Sequence, residues 1–179
     1  MIPAGLIDNN IEFFAKGNKL FSIQSGIRYE FPHMPEEHIT FLQNELDNDE
    51  AALETLTHTP TEDILRVYGI CRFGGCNHLP DVSEGECTDV SEYYDCGIRG
   101  RCMYEGLRCK ELVTQKGIIS FRQLQVVILI AAGKLNKEIA GELGISENTV
   151  ANHLVNIQQK IEGRTRVDIA TFAKERGIA

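Results

Sequence analysis

Between Ser120 and Ala179 the chain sets helix starts and helix stops so close together that only short helices fit between them. Ser120 stands three residues before Gln123, the spacing at which a hydroxyl and an amide satisfy two otherwise orphaned N–H groups. Phe121, Leu124, Val127, Ile128 and Ala131 then share a face, and Gly133 ends the run. Asn136 is the expected cap of a second helix with Ile139, Ala140 and Leu143 inward, closed by Gly144. Ser146 opens a third over 146–162, with Val150, Leu154, Ile157 and Ile161 inward. A fourth begins near Thr165 and carries Val167, Ala170 and Ala173. Only Leu143-Gly144-Ile145-Ser146 separates the second from the third. A short helix, a tight glycine turn and a longer capped helix make a helix-turn-helix pattern. Small Ala140 permits a close crossing, and Gly144 suits a backbone conformation that a Cβ would oppose. A plain antiparallel bundle fits the same periodicity.

The residues themselves go further. Asn136-Lys-Glu-Ile-Ala140, Leu143-Gly-Ile-Ser146 and Ser146-Glu-Asn-Thr-Val150 with His153, followed by Asn156-Ile157, Lys160-Ile161 and Arg164-Thr-Arg166, resemble the LuxR-type DNA-binding domain of bacterial transcription regulators. The resemblance covers about residues 117–179, a third of the chain. It implies a four-helix domain whose third helix enters the major groove. It implies phosphate contacts from Asn148, Thr149 and Lys160, with Lys137 nearby, and a base-facing set of Ala151, Asn152 and Val155. Many family members carry Lys where Ala151 or Val155 stands here. That substitution favours Asn152 on adenine N6/N7 and Ala151 or Val155 against a thymine methyl. His153 reads better as packing beneath the helix than as a contact. Gln123 replaces the family's usual Glu, which keeps the cap and removes the charge of a salt bridge at that site. The family also pairs domains through its fourth helix, so Val167, Ala170 and Ala173 are the expected homodimer interface on DNA.

A formal charge of −8 over 179 residues argues against nucleic acid only if it is spread evenly, and it is not. Residues 1–110 hold nine Lys/Arg against nineteen Asp/Glu, whereas residues 111–179 hold nine against seven. The acidity belongs to one end, and a phosphate contact needs only a local basic face. With so slight an excess one domain should bind DNA weakly, which again favours a dimer. The acidic end could instead dock a protein partner, making the chain an interaction adaptor with DNA binding secondary. Glu36-Glu37 and Asp47 to Glu50 read as solvated helical faces.

All six cysteines fall between residues 70 and 110: Cys71, Cys76, Cys87, Cys96, Cys102 and Cys109, with gaps of four, ten, eight, five and six residues. No CxxC occurs, so neither a thioredoxin-like motif nor a standard zinc ribbon is matched. The segment is glycine-rich and poor in Val, Ile and Leu, so apolar burial alone is not expected to order it. Zinc on Cys71, Cys96, Cys102 and Cys109 is the preferred staple, with Arg99, Arg101, Arg108 and Lys110 offsetting the thiolate charge. An iron–sulfur cluster, reversible disulfides and simple buried thiols are the alternatives. A zinc–water centre on His78 with cysteines, supported by Asp81 or Glu84 as base, is the one catalytic arrangement the sequence offers, and nothing enforces its geometry, so the chain is read as a non-enzyme.

The first third suggests a small mixed region. Ile11 to Phe14 and Leu20 to Ile23 flank a Gly17-Asn18 turn, and Ile27 to Phe31 suits a third strand stopped by Pro32. Apolar residues from Ile39 to Leu56 fit one long helix or two broken near Asn48, and another helix follows from Thr61 to Gly69. This lacks the regular strand–helix alternation of a phospho-receiver and the aromatic-rich pocket expected for an acyl-lactone. The longest apolar run, Val126 to Ala132, is far too short to span a membrane, and no signal peptide is expected at Met-Ile-Pro-Ala-Gly. The expected organisation is therefore α+β, mainly α. It comprises a mixed region of unassigned function (1–69), a metal-stapled cysteine module (70–110), a linker (111–117) and a helix-turn-helix domain (118–179). The expected function is that of a cytoplasmic, sequence-specific transcription regulator of bacterial or phage origin, acting on double-stranded DNA with metal- or redox-linked input.

Overall fold

The structure, a computed structural model, describes residues 2–88, 93–99, 102–109 and 111–178. It divides into two compact units, Met1–Lys110 and Glu111–Ala179. The fold is mixed and mainly helical, with strands concentrated in the first unit.

In that unit β1 (Glu12–Lys16), β2 (Lys19–Gln24) and β3 (Ile27–Glu30) form an antiparallel sheet in that order. Phe14 pairs with Phe21 and Lys16 with Lys19, so a two-residue turn at Gly17-Asn18 closes the first hairpin, with Gly17 at φ +61°. Helices α1 (Glu36–Asp47) and α2 (Glu50–Leu56) break at Asn48, and the Asp49 carboxylate caps α2 by accepting from the Ala52 N–H. A 3-10 turn, Thr61–Asp63, leads into α3 (Ile64–Phe73). Phe13, Leu20, Leu42, Leu46, Leu56, Tyr68 and Phe73 form the core between sheet and helices. Each of the leucine and phenylalanine side chains among them contributes roughly 1.5–3 kcal/mol on burial. Helix α3 lies close on the sheet because residue 69 is glycine: a Cβ there would stand 2.4 Å from Leu20 Cδ2.

The cysteine-rich segment is not an island held apart from this core. Val82 is buried in it, and Cys87 and Tyr94 pack against it. Two buried carboxylates supply order that aliphatic content could not foretell. Glu12 accepts the Asn77 N–H at 2.7 Å, and Asp81 accepts the Phe13 N–H at 2.8 Å. With the Ile11–Val82 bridge these bonds fasten residues 77–82 to β1. Short strands β4 (Val82–Ser83) and β5 (Glu86–Cys87) follow.

The second unit opens with a hairpin where a connector was expected at 111–117. Strands β6 (Leu112–Thr114) and β7 (Gly117–Ile119) pair Leu112 with Ile119 on the buried side and Val113 with Ile118 on the exposed side. That two-residue alternation over only three positions is too short to stand out in sequence. Four helices follow, α4 (Phe121–Ala131), α5 (Asn136–Leu143), α6 (Glu147–Ile161) and α7 (Arg166–Glu175). The Ser120–Gln123 capping box forms as expected, with both reciprocal bonds present. The inward face of α4 is rotated from the expected one: Leu124, Val126, Val127 and Ile130 are buried, and Phe121 is exposed. Asn136 is not the cap of α5. Leu135 takes the extended capping conformation, its N–H is satisfied by Glu138 Oε2 at 2.6 Å, and Asn136 Oδ1 instead accepts from Arg166 Nη1.

Candidate nucleic-acid interface

Gly144 carries the turn between α5 and α6 in the left-handed region, at φ +63°, ψ +38°. The Ile145 N–H bonds back to the Ala140 carbonyl at 3.0 Å, which closes the end of α5. Ser146 then caps α6 by accepting from the Thr149 N–H at 3.0 Å. Arg122 of α4 donates to the Leu143 carbonyl at 2.6 Å, so the turn is held from a third helix. The parts expected of a helix-turn-helix are all present, each with its own hydrogen bond.

One side of α6 is fixed by fully buried Val150 and Ile157. On the other side Asn148, Asn152 and Val155 are exposed and Ala151 is half-buried, at the i, i+3, i+4, i+7 spacing of a single helical stripe. Of the residues expected at bases, Asn152 and Val155 (51 % exposed) are free to meet a groove, and Ala151 sits beside them with little bulk. His153 is half-buried.

The expected phosphate contacts divide. Lys137 and Asn148 are exposed. The Thr149 hydroxyl shares a 2.8 Å hydrogen bond with Ser146 Oγ at the helix cap. Lys160 is engaged within the unit: its Nζ donates to the Ile118 carbonyl at 2.6 Å and to Gln123 Oε1 at 2.8 Å. That ammonium joins the far end of α6 to β7 and to the cap of α4. Gln123 therefore retains, as a charge-assisted hydrogen bond, a link at the site where the family's carboxylate is absent. Lys116 pairs with Glu162 at 2.8 Å and Lys134 with Glu142 at 2.8 Å, while Arg166 donates to Asn136 and to the Lys134 carbonyl. An open cleft of about 710 Å³ beside α6 is lined by Lys116, Asn156, Lys160 and Arg164 among others.

The expected dimer set also divides. Val167 is 71 % exposed and Ala170 half-buried, and with Leu135 (68 % exposed) and Gly133 they line a shallow cleft. Ala173 is fully buried with Ile169 in the unit's own core, so it cannot reach a partner. The apolar residues of α7 lie on two faces, which sequence periodicity merges into one.

In the first unit the structure brings two of the four expected ligands together. Cys71 on α3 is coupled electrostatically to Cys109 and more weakly to Cys96. This coupling pushes the Cys71 thiol up. The same coupling, reinforced by the Arg99 guanidinium, draws Cys109 down to about 6 against the burial that opposes it. Cys102 is half-buried and Cys76 exposed. Among the described residues no three His, Cys, Asp or Glu side chains gather to hold a metal. The expected zinc–water base is not assembled either: Asp81 is committed to the Phe13 N–H and Glu84 is exposed in a turn. Arg101 and Lys110 lie outside the described residues.

A three-helix anchor around a capped, polar-striped helix defines a helix-turn-helix DNA-binding domain. Residues 118–173 match the family described as bacterial regulatory proteins, luxR family. This part of the chain is a LuxR-type domain. Among curated relatives, the chain is 44 % identical over 116 residues to the transcriptional regulatory protein LiaR of Bacillus subtilis, covering 60 % of this chain and 55 % of that protein. It is 34 % identical over 80 residues to the transcriptional regulatory protein DesR of the same organism, covering 45 % and 40 %. It is 30 % identical over 88 residues to the CsgBAC operon transcriptional regulatory protein of Escherichia coli, covering 44 % and 41 %. The chain spans about half the length of the curated relatives it matches. No solved structure matches it. No described helix is long and apolar enough to cross a membrane.

Proposed function

We propose that this chain is a sequence-specific DNA-binding transcription regulator that works in the cytoplasm, with α6 in the major groove. The observation that carries the reading is the exposed stripe of Asn148, Ala151, Asn152 and Val155 on a helix whose opposite side is locked by Val150 and Ile157. The family match of the same residues and the regulator names of the relatives support it. In this reading Asn152 takes adenine N6/N7 and Val155 or Ala151 takes a thymine methyl. Lys137, Asn148 and Thr149 hold phosphates. Lys160 acts at one remove by seating α6, and its side chain turns outward only if it gives up two hydrogen bonds. Two copies pair through Val167 and Ala170, with Leu135 added to the expected interface and Ala173 removed from it. The thiols of the acidic unit supply the input. Zinc on Cys71, Cys96, Cys102 and Cys109 has in its favour the electrostatic coupling of Cys71 to Cys109 and to Cys96. Selection from a random duplex library with the full chain tests the DNA reading. A repeated adenine-containing half-site is expected, and Asn152→Ala should weaken binding to it by about 1–3 kcal/mol, roughly five- to 150-fold. Recovery of no motif above the starting library would refute sequence-specific binding.

A further inference from the structure

We propose that Glu147 is a specificity-determining residue, which selects a cytosine near the adenine read by Asn152. The proposal rests on the reading of α6 as the groove helix and adds a position to it. Glu147 is the first residue of α6 and is exposed. Ala151 and Val155 follow it at i+4 and i+8, so the three share one row along the exposed side of the helix. In a helix-turn-helix the N-terminal end of the second helix comes nearest the base edges. A carboxylate at that end is carried in with the stripe.

The other carboxylates around it are committed within the unit. Glu138 Oε2 accepts the Leu135 N–H at 2.6 Å, Glu142 pairs with Lys134 at 2.8 Å, and Glu162 pairs with Lys116 at 2.8 Å. Asp168 accepts the N–H groups of Arg164 and Thr165. Among the described residues Glu147 forms no hydrogen bond and no ion pair. Nor does it cap α6. Ser146 Oγ takes the Thr149 N–H, and the third helical position, where a reciprocal acceptor belongs, is Thr149 itself.

An uncommitted charge in a groove must meet a donor or be repelled. Phosphates repel it, and the major-groove base edges differ in what they offer. Guanine presents two acceptors, and thymine presents an acceptor and a methyl group. Adenine sets its N6 donor beside the N7 acceptor, which suits an amide better than a carboxylate. Cytosine presents the N4 donor without an acceptor of its own. Glu147 then acts twice: it accepts from cytosine N4, and it disfavours the other bases because its charge is left desolvated and unpaired. Five residues of helix lead from it to Asn152, about 7.5 Å, which puts the cytosine about two base pairs from the adenine.

The test is selection from a random duplex library by the full chain as wild type, Glu147→Ala and Glu147→Gln. Recovered sites are then titrated at one salt concentration. The wild-type motif should hold a cytosine near the adenine, and replacing that cytosine should weaken binding about five- to 150-fold. Glu147→Ala should keep the adenine and lose the preference for cytosine, while its binding to unrelated duplex rises. Glu147→Gln should exchange the cytosine for an adenine, because an amide pairs with N6 and N7 together. Circular dichroism melts check that both variants fold. If neither does, the wild-type motif decides, and a motif without the cytosine overturns the proposal. The same motif from all three chains, or an affinity change equal for every sequence, would also overturn it while leaving the groove reading intact. No motif from the wild-type chain would bring down the groove reading itself, and this proposal with it.

Discussion

Replacing Gln123 by Glu tests how α6 is seated. Gln123 is 6 % exposed, and its Oε1 accepts both the Ser120 N–H at 3.1 Å and the Lys160 ammonium at 2.8 Å. A carboxylate keeps both acceptors and turns the Lys160 hydrogen bond, already charge-assisted, into an ion pair, a further gain of up to about 1 kcal/mol. Its negative charge in the first turn of α4 adds about 0.3–1 kcal/mol. Desolvating a carboxylate opposes these gains. Because the partner ammonium and the cap N–H are already in place, we expect a net gain of about 1 kcal/mol, or roughly 4–8 °C in a domain of this size. Gln123→Ala loses both bonds and should cost about 2 kcal/mol. All five tyrosines lie in residues 1–110, so tyrosine fluorescence follows the first unit while circular dichroism at 222 nm also follows α4 to α7. The expected result is a shift in the dichroism melt with the fluorescence melt unmoved. The gain from Gln123→Glu should vanish below about pH 4 as the introduced carboxyl protonates. A Gln123→Glu chain that melts lower than wild type, or a Gln123→Ala chain that melts with it, would refute the Lys160 linkage.

Two further outcomes follow from buried and committed charges. His38 is fully buried, with Nδ1 on Ser22 Oγ at 2.8 Å and Nε2 on Gln24 Oε1 at 3.0 Å, and burial lowers its pKa below 6.5 against the opposing pull of Glu37. The neutral ring is the folded form, so its contribution is complete above pH 6.5 and is lost as the pH falls from there toward the folded value. Denaturation followed by tyrosine fluorescence should show this acid sensitivity in wild type and less of it in His38→Gln; equal slopes would contradict it. The salt dependence of DNA binding should be shallow, because Lys116, Arg122, Lys134, Lys160 and Arg166 are engaged within the unit. If Lys137 and Arg164 of each copy meet phosphates, log K should fall with log[salt] at a slope of about −4 for a dimer, and a slope near −8 would mean that the internal pairs open on DNA.

Local signals are legible where one residue acts on its near neighbours. Ser120, Ser146 and Thr165 cap the helices they precede, Gly144 makes the left-handed turn, and Gly17-Asn18 makes the hairpin. The exposed stripe of α6 is legible for the same reason, since helical period fixes which side chains share a face. Distant partners are not. The resemblance gives Lys160 a phosphate contact, and nothing near it in the chain announces its partners Gln123 and the Ile118 carbonyl. Asn136 reads as a cap until Arg166, thirty residues away, claims its oxygen. Residues 77–82 read as unsupported because Glu12 and Asp81 fasten them through backbone N–H groups, a device that leaves no mark in aliphatic content.

The Ile118 carbonyl gives the β6–β7 hairpin a second meaning. The polypeptide enters the DNA-binding unit through this hairpin, and the last turn of α6 is tied to its second strand by the Lys160 ammonium. A tug on the entering strand is therefore felt at the tail of α6 without passing through the domain's apolar centre. In such an arrangement a tether is also a steering rod: a twist of the strand would re-aim α6.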